Sequence, residues 1–147
     1  MIHTDIDLLS PILRNAIPEV VADCIASPIF KAHNAGLIVV ETLRDIATQM
    51  AYYARGRMNS DDVKKMYVAA GLYQLSDAEA RQVVTWTLSS KHLLGRACDC
   101  APSLDGSSPW WAAPAEVWQE YGRIAKAHGL QWGGDWKGKE DTPHVEA

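Results

Sequence analysis

A chain of 147 residues, 48% of them hydrophobic and 22% charged, is about one domain long and buries enough surface to hold a core without disulfides. That balance excludes disorder. A formal net charge of −4, with no run of Lys and Arg interleaved with aromatics, excludes nucleic-acid binding through a phosphate-neutralising surface.

Met1 to Ser10 carries His3, Asp5 and Asp7 where a secretory signal would have a basic and then an apolar region, so no signal is expected. No apolar stretch approaches the roughly 20 residues that span a bilayer. His3 reads as a mobile terminal residue. Pro18 ahead of Glu19, Val20, Val21, Cys24 and Ile25 predicts a first helix with proline at its first position, ended near Pro28. Asn34 and Gly36 supply a stop. Leu37 to Val40 is short and β-branched, a buried strand with Arg44 just beyond its end. Ile46, Met50, Tyr53 and Arg57 then recur at helical spacing, terminated by Gly56.

Residues 58–80 read as an inserted helical element, with Ser60 as a cap, Val63, Met66 and Tyr67 along it and Gly71 closing it. Ser76, Asp77, Ala78 and Glu79 form a capping box. Val83 to Trp86 turns extended, and Ala97 to Ala101 is a further strand. Pro114 opens a helix with Val117, Trp118, Tyr121, Ile124 and Ala125 on one face, ended by Gly129. The tail from Leu130 reads as strand, loop, strand, and Ser103 to Pro109 as a polar loop.

Catalytic zinc sites take three protein ligands from His, Asp, Glu and Cys and leave a position open for water. Two clusters offer such ligands. The segment from Ser90 to Asp99 places His92 and Asp99 seven positions apart around Gly95, and Asp141 stands three before His144. Each cluster alone is a weak signal. Cys98 and Cys100 flank Asp99, but alternate side chains of a strand face opposite ways, so an inward Asp99 turns both thiols away from the metal. With Cys24 they read as reduced core residues. His33 and His128 fall near helix C-termini and read as caps. Trp110 and Trp111 suit either a groove wall or packing.

Taken together, Ser90, His92, Gly95, Ala97 and Asp99 fit the pattern S-x-H-x-x-G-x-A-x-D. With Asp141 and His144, the run Trp132-Gly133-Gly134-Asp135-Trp136 and Arg44 after an early strand, they resemble the zinc D-alanyl-D-alanine carboxypeptidase and L-alanyl-D-glutamate endopeptidase family. The resemblance is to its phage endolysins, whose fold is shared with the Hedgehog signalling domain. It covers about Leu37 to Glu146. It implies one zinc held by His92, Asp99 and His144, with Asp141 as general base and Arg44 steadying the substrate or the transition state. Ser90, Trp132, Trp136 and Glu146 are weaker candidates around them, Glu146 as a partner that orients a ligand.

The implied fold is α+β, one domain over 1–147 with 58–80 inserted. Helices pack on a small, mainly antiparallel sheet of segments near 37–42, 84–88, 97–101, 129–133 and 143–146, with the metal at one edge. The implied function is that of a monomeric lytic peptidase hydrolysing the L-alanyl-D-glutamate bond of peptidoglycan stem peptides. It would be made in the host cytoplasm and reach the wall through a membrane pore. Two alternatives stand beside it, a D,D-carboxypeptidase trimming terminal D-alanine and a metal-stabilised binding module without hydrolysis.

Overall fold

Residues Met1 to Ala147 are described by a computed structural model. The architecture is α+β. Four antiparallel strands, β1 (Gly36–Glu41), β2 (Ala97–Ser103), β3 (Gln131–Trp132) and β4 (His144–Glu146), form one sheet in the order β1-β2-β4-β3.

Helices α1 (Pro11–Ala26), α2 (Pro28–Ala32) and α6 (Ala115–Ala127) cover one face of that sheet. On α1 the buried residues Leu13, Ile17, Val20 and Cys24 recur at steps of three and four, the spacing of one helical face. They pack with Val117, Tyr121 and Ala125 of α6 and with Cys98, Cys100 and Val145 of the sheet. All three cysteines are free and buried.

The first helix begins seven residues earlier than the sequence suggested. Pro11, not Pro18, takes the first turn, and Pro18 lies inside α1, exposed, where it removes one backbone hydrogen bond. Pro28 starts a second helix after the Ser27 junction, whose hydroxyl accepts from the Ile29 N–H at 3.2 Å. His3 is held rather than loose, since its carbonyl accepts from the Thr42 N–H at 2.7 Å and from the Thr42 hydroxyl at 3.1 Å.

Helices α3 (Ile46–Ala54), α4 (Ser60–Ala69) and α5 (Asp77–Ala80) surround a second, smaller core of Ala51, Ala54, Val63, Tyr67, Ala70, Leu75 and Ala80. The capping box at Ser76 and Glu79 is formed, whereas Asn59 rather than Ser60 caps α4. Helix α3 has the expected period but the opposite face inward. Ile46 and Met50 are exposed, and the buried side carries Thr48, Gln49, Ala51 and Ala54, because this side meets the polar surroundings of Arg44.

The segment near 84–88 is not a strand. Residues 83–90 have no sheet partner and form one lip of a cleft. No helix is long and apolar enough to cross a membrane.

Candidate active site

The site grows from the pairing of the two central strands, not from a sheet edge. Asp99 of β2 lies directly opposite His144 of β4, which puts both side chains on one face. The intervening thiols of Cys98 and Cys100 point into the core on the other face, as alternation requires. A 3-10 turn at Lys91–Leu94, capped by the Ser90 hydroxyl, delivers His92 to the same face. Gly95 ends the turn with φ of 64°, and a Cβ there would collide with the Leu8 carbonyl. This reversal requires glycine.

One ligand-type atom each from His92, Asp99 and His144 lies within 4.8 Å of the others. His92 Nε2 and His144 Nδ1 are each 3.2 Å from Asp99 Oδ1. Two imidazoles and a carboxylate are the donor set zinc favours, and ligands bound about 2.0–2.1 Å from a tetrahedral ion stand roughly 3.3 Å apart. The cluster fits such an ion.

The tautomers fit as well. His92 Nδ1 is 2.7 Å from the Thr42 carbonyl, which can only accept, so Nδ1 carries the hydrogen and the Nε2 lone pair is left for the cluster. His144 Nε2 is 3.0 Å from Glu146 Oε2, which turns Nδ1 inward. Lys91 Nζ holds the other Glu146 oxygen at 2.8 Å. Burial would raise the Glu146 pKa, but its hydrogen bonds from Lys91 and His144 outweigh it and hold the carboxyl below its ordinary value. Burial likewise opposes the charge of Asp99, yet His92 and His144 together keep its pKa well below the usual range.

Arg44 follows β1, where a bulge between Val39 and Glu41 sets Glu41 opposite Asp99. Two carboxylates facing each other would repel, and Arg44 lies between them. Its guanidinium makes a two-pronged ion pair with Glu41 and stands 3.7 Å from Asp99 Oδ2. Nη1 donates to Gln49 Oε1 at 2.8 Å, and the Tyr52 ring lies 4.7 Å from its centre. Three of its five N–H groups are thereby used.

Asp141 lines the same cleft. Burial, followed by the neighbouring Asp99 charge, pushes its carboxyl up to about 6. The segment around it is tightly tied. Asp141 N–H donates to the Gly133 carbonyl at 2.9 Å, Trp132 Nε1 to the Thr142 carbonyl at 2.8 Å, and the Tyr121 hydroxyl to the Pro143 carbonyl at 2.9 Å. A Cβ on Gly133 would overlap the Asp141 carbonyl, so glycine allows the close approach.

The cleft has a volume of about 1310 Å³ and also takes in Ser90, Trp136 and Glu146. The Trp136 ring stands 4.9 Å from that of His144. Trp132 is not on its surface. It is buried in the main core, supporting the 141–144 segment from behind. Trp111 stacks on Trp118 at 6.3 Å and lies outside the cleft, as does Trp110. His33 and His128 occupy the C-cap positions of α2 and α6, but their imidazoles lie against carboxylates of other helices, Glu116 at 2.6 Å and Asp23 at 2.7 Å. The sequence reading missed Glu41, Thr42 and Gln49, which hold Arg44 and His92. The strand bulge and the inward polar face of α3 that bring them there leave no local motif.

A family model described as D-alanyl-D-alanine carboxypeptidase matches residues 83–147. An L-alanyl-D-glutamate peptidase of Listeria phage A118 is 35% identical over 60 residues, 41% of this chain and 21% of that protein. A peptidoglycan L-alanyl-D-glutamate endopeptidase of Bacillus subtilis strain 168 is 36% identical over 84 residues, 51% of this chain and 50% of that protein. The matched stretches thus span half or less of these relatives. The crystal structure of an L-Ala D-Glu endopeptidase of Serratia marcescens shares the fold, with a TM-score of 0.56 and 24% identity over 96% of this chain and 81% of that one. The matched residues 83–147 contribute His92, Asp99, Asp141, His144 and Glu146, so the resemblance to the D-alanyl-D-alanine carboxypeptidase family covers most of the candidate site.

Proposed function

We propose that the chain is a zinc-dependent peptidoglycan peptidase that hydrolyses the L-alanyl-D-glutamate bond of wall stem peptides, with His92, Asp99 and His144 as the metal ligands. The observation that carries this reading is the convergence of those three groups on one face of the sheet, inside a large cleft. The named activities of the phage and Bacillus relatives support the choice of bond.

Bound there, zinc supplies Lewis acidity and brings the pKa of water from 15.7 down to about 7. Asp141 takes the proton of the attacking water and returns it to the leaving amine, a role suited to a carboxyl raised towards neutrality. Arg44, held rigid by Glu41 and Gln49, offers its remaining N–H groups to the charge that develops on the scissile carbonyl oxygen. Glu146 orients His144, and the Thr42 carbonyl orients His92. Trp136 walls the cleft beside His144.

In this reading the enzyme is a phage-type endolysin acting on the wall after passage through a membrane pore. The experiment is digestion of purified peptidoglycan followed by identification of the new amino terminus. A new glutamate amino terminus supports the endopeptidase. Release of free D-alanine would replace it with the carboxypeptidase reading, and an intact wall with the non-hydrolytic one.

A further inference from the structure

Arg55, at the C-terminal end of α3, is only 6% exposed and lines the same cleft as the metal-ligand cluster. Its partners are all neutral. Nε donates to the Glu79 carbonyl at 2.9 Å, and Nη1 reaches the hydroxyls of Tyr67 at 3.2 Å and Tyr73 at 3.5 Å. No carboxylate pairs with it. Glu79, the nearby acid, has its carboxylate taken by the backbone and hydroxyl of Ser76, while Glu41 and Asp99 face Arg44.

Nη2 of Arg55 has no protein partner at all. Since no fully buried side-chain nitrogen or oxygen in the molecule lacks one, Nη2 is open to solvent, and its opening is the cleft. A guanidinium held by neutral partners, with no carboxylate at ion-pair distance and one amino group free at a cleft, is available to an anionic ligand. Arg44, by contrast, is already neutralised in place.

We propose that Arg55 is a specificity-determining binding residue, taking a free carboxylate of the peptide substrate at a subsite separate from the metal-ligand cluster. The proposal rests on the peptidase reading of the cleft. Two aromatic rings link the arginines, Tyr52 on the cleft and Tyr67 buried behind it. Arg44 lies 4.7 Å from the Tyr52 ring, Tyr52 5.9 Å from Tyr67, and Arg55 5.9 Å from Tyr67. An extended peptide advances about 3.3–3.6 Å per residue, so a short wall peptide spans that distance. Such a peptide has two sources of carboxylate. A glutamate within a chain uses one carboxyl for the chain and keeps the other, and the last residue carries a terminal one.

The test uses the synthetic peptide L-alanyl-D-glutamyl-lysyl-D-alanine in three forms: unmodified, amidated on the free glutamate carboxyl, and amidated at the C-terminus. Binding is measured by calorimetry on zinc-depleted protein, and kcat and KM on zinc-loaded protein. One amidation should weaken wild-type binding about 10- to 100-fold, the range of a charge-assisted hydrogen bond, and thereby name the source. Arg55→Gln should lose the same factor on the unmodified peptide and nothing further on that amide, with the effect in KM and kcat little changed. Arg55→Lys should restore part of it.

Indifference of the wild type to both amidations would overturn the proposal, as would an equal loss by Arg55→Gln on all three peptides. If circular dichroism finds Arg55→Gln unfolded, the wild-type series and Arg55→Lys decide. A carboxylate preference in binding without any cleavage would sink the peptidase reading and leave the subsite. Cleavage without the preference would do the reverse.

Discussion

At the scale of single residues, two carboxylates of the cleft have distinct environments and therefore distinct expected phenotypes. Asp141 contributes no ligand atom to the cluster, so Asp141→Asn should keep its zinc, read by atomic absorption, while kcat falls about 10²- to 10⁴-fold. Loss of zinc in that variant would make Asp141 a ligand and vacate the base. Glu146 holds the outer nitrogen of His144 and offers no ligand atom of its own to the cluster. Glu146→Gln should therefore weaken zinc affinity by about 10- to 100-fold, measured by competition with a chelator, while the far-ultraviolet spectrum stays unchanged. The candidate site residues could be picked out in the sequence because each pair, His92 with Asp99 and Asp141 with His144, sits in a short segment, seven and three positions apart. Arg55 could not, since nothing local distinguishes a buried unpaired arginine from a surface one.

At the scale of elements, Pro18 is the clearest case of tertiary packing overriding a local signal. The buried stripe of Leu13, Ile17, Val20 and Cys24 continues straight through it, so the helix forms at the cost of one backbone hydrogen bond. Pro18→Ala restores that bond at an exposed position, and should raise stability by about 1–3 kcal/mol in thermal unfolding. The junction of α1, α2 and α6 is held by Glu120, which accepts from Arg123 at 2.8 Å and from the Ser27 hydroxyl at 2.9 Å. The hydrogen bonds from Arg123, ahead of a smaller contribution from Ser27, hold the Glu120 pKa below its ordinary value. A depressed folded-state pKa gives stability above the unfolded value of about 4.3, lost as pH falls through the folded value. Glu120→Gln should thus cost about 1 kcal/mol at pH 7, discounted because Arg123 is mostly exposed, and the deficit should close below about pH 4. A deficit constant with pH would show packing, not charge, at work. Strand positions 37–40 and 97–101 were readable from their short β-branched or small-residue runs. The extended run at 83–86 misled because its valines are exposed on the cleft lip, without a neighbouring strand to pair with.

At the scale of the molecule, two cores of unequal size divide the structure, and the cleft lies between the elements they support. The smaller core under α3, α4 and α5 has few buried apolar groups, so its amides should exchange with solvent sooner than those of α1 and β2. Uniform protection would contradict that division. The helices within 58–80 were visible in the sequence, as was the capping box at Ser76 and Glu79. This segment's contribution of Tyr73 to the cleft, and of the buried Tyr67 as a support for Arg55, emerges only in three dimensions. Zinc at the proposed site would tie β2, β4 and the 91–94 turn together, and binding to the folded state alone adds about 4 kcal/mol at a thousandfold excess over Kd. The most direct measurement is the turbidity of outer-membrane-permeabilised bacteria treated with the wild-type protein, with chelator-stripped protein, and with stripped protein given zinc, each alongside His144→Ala. The account predicts clearing that vanishes with chelator, returns with zinc, and is absent from His144→Ala throughout. Clearing that persists without metal or in His144→Ala would contradict it.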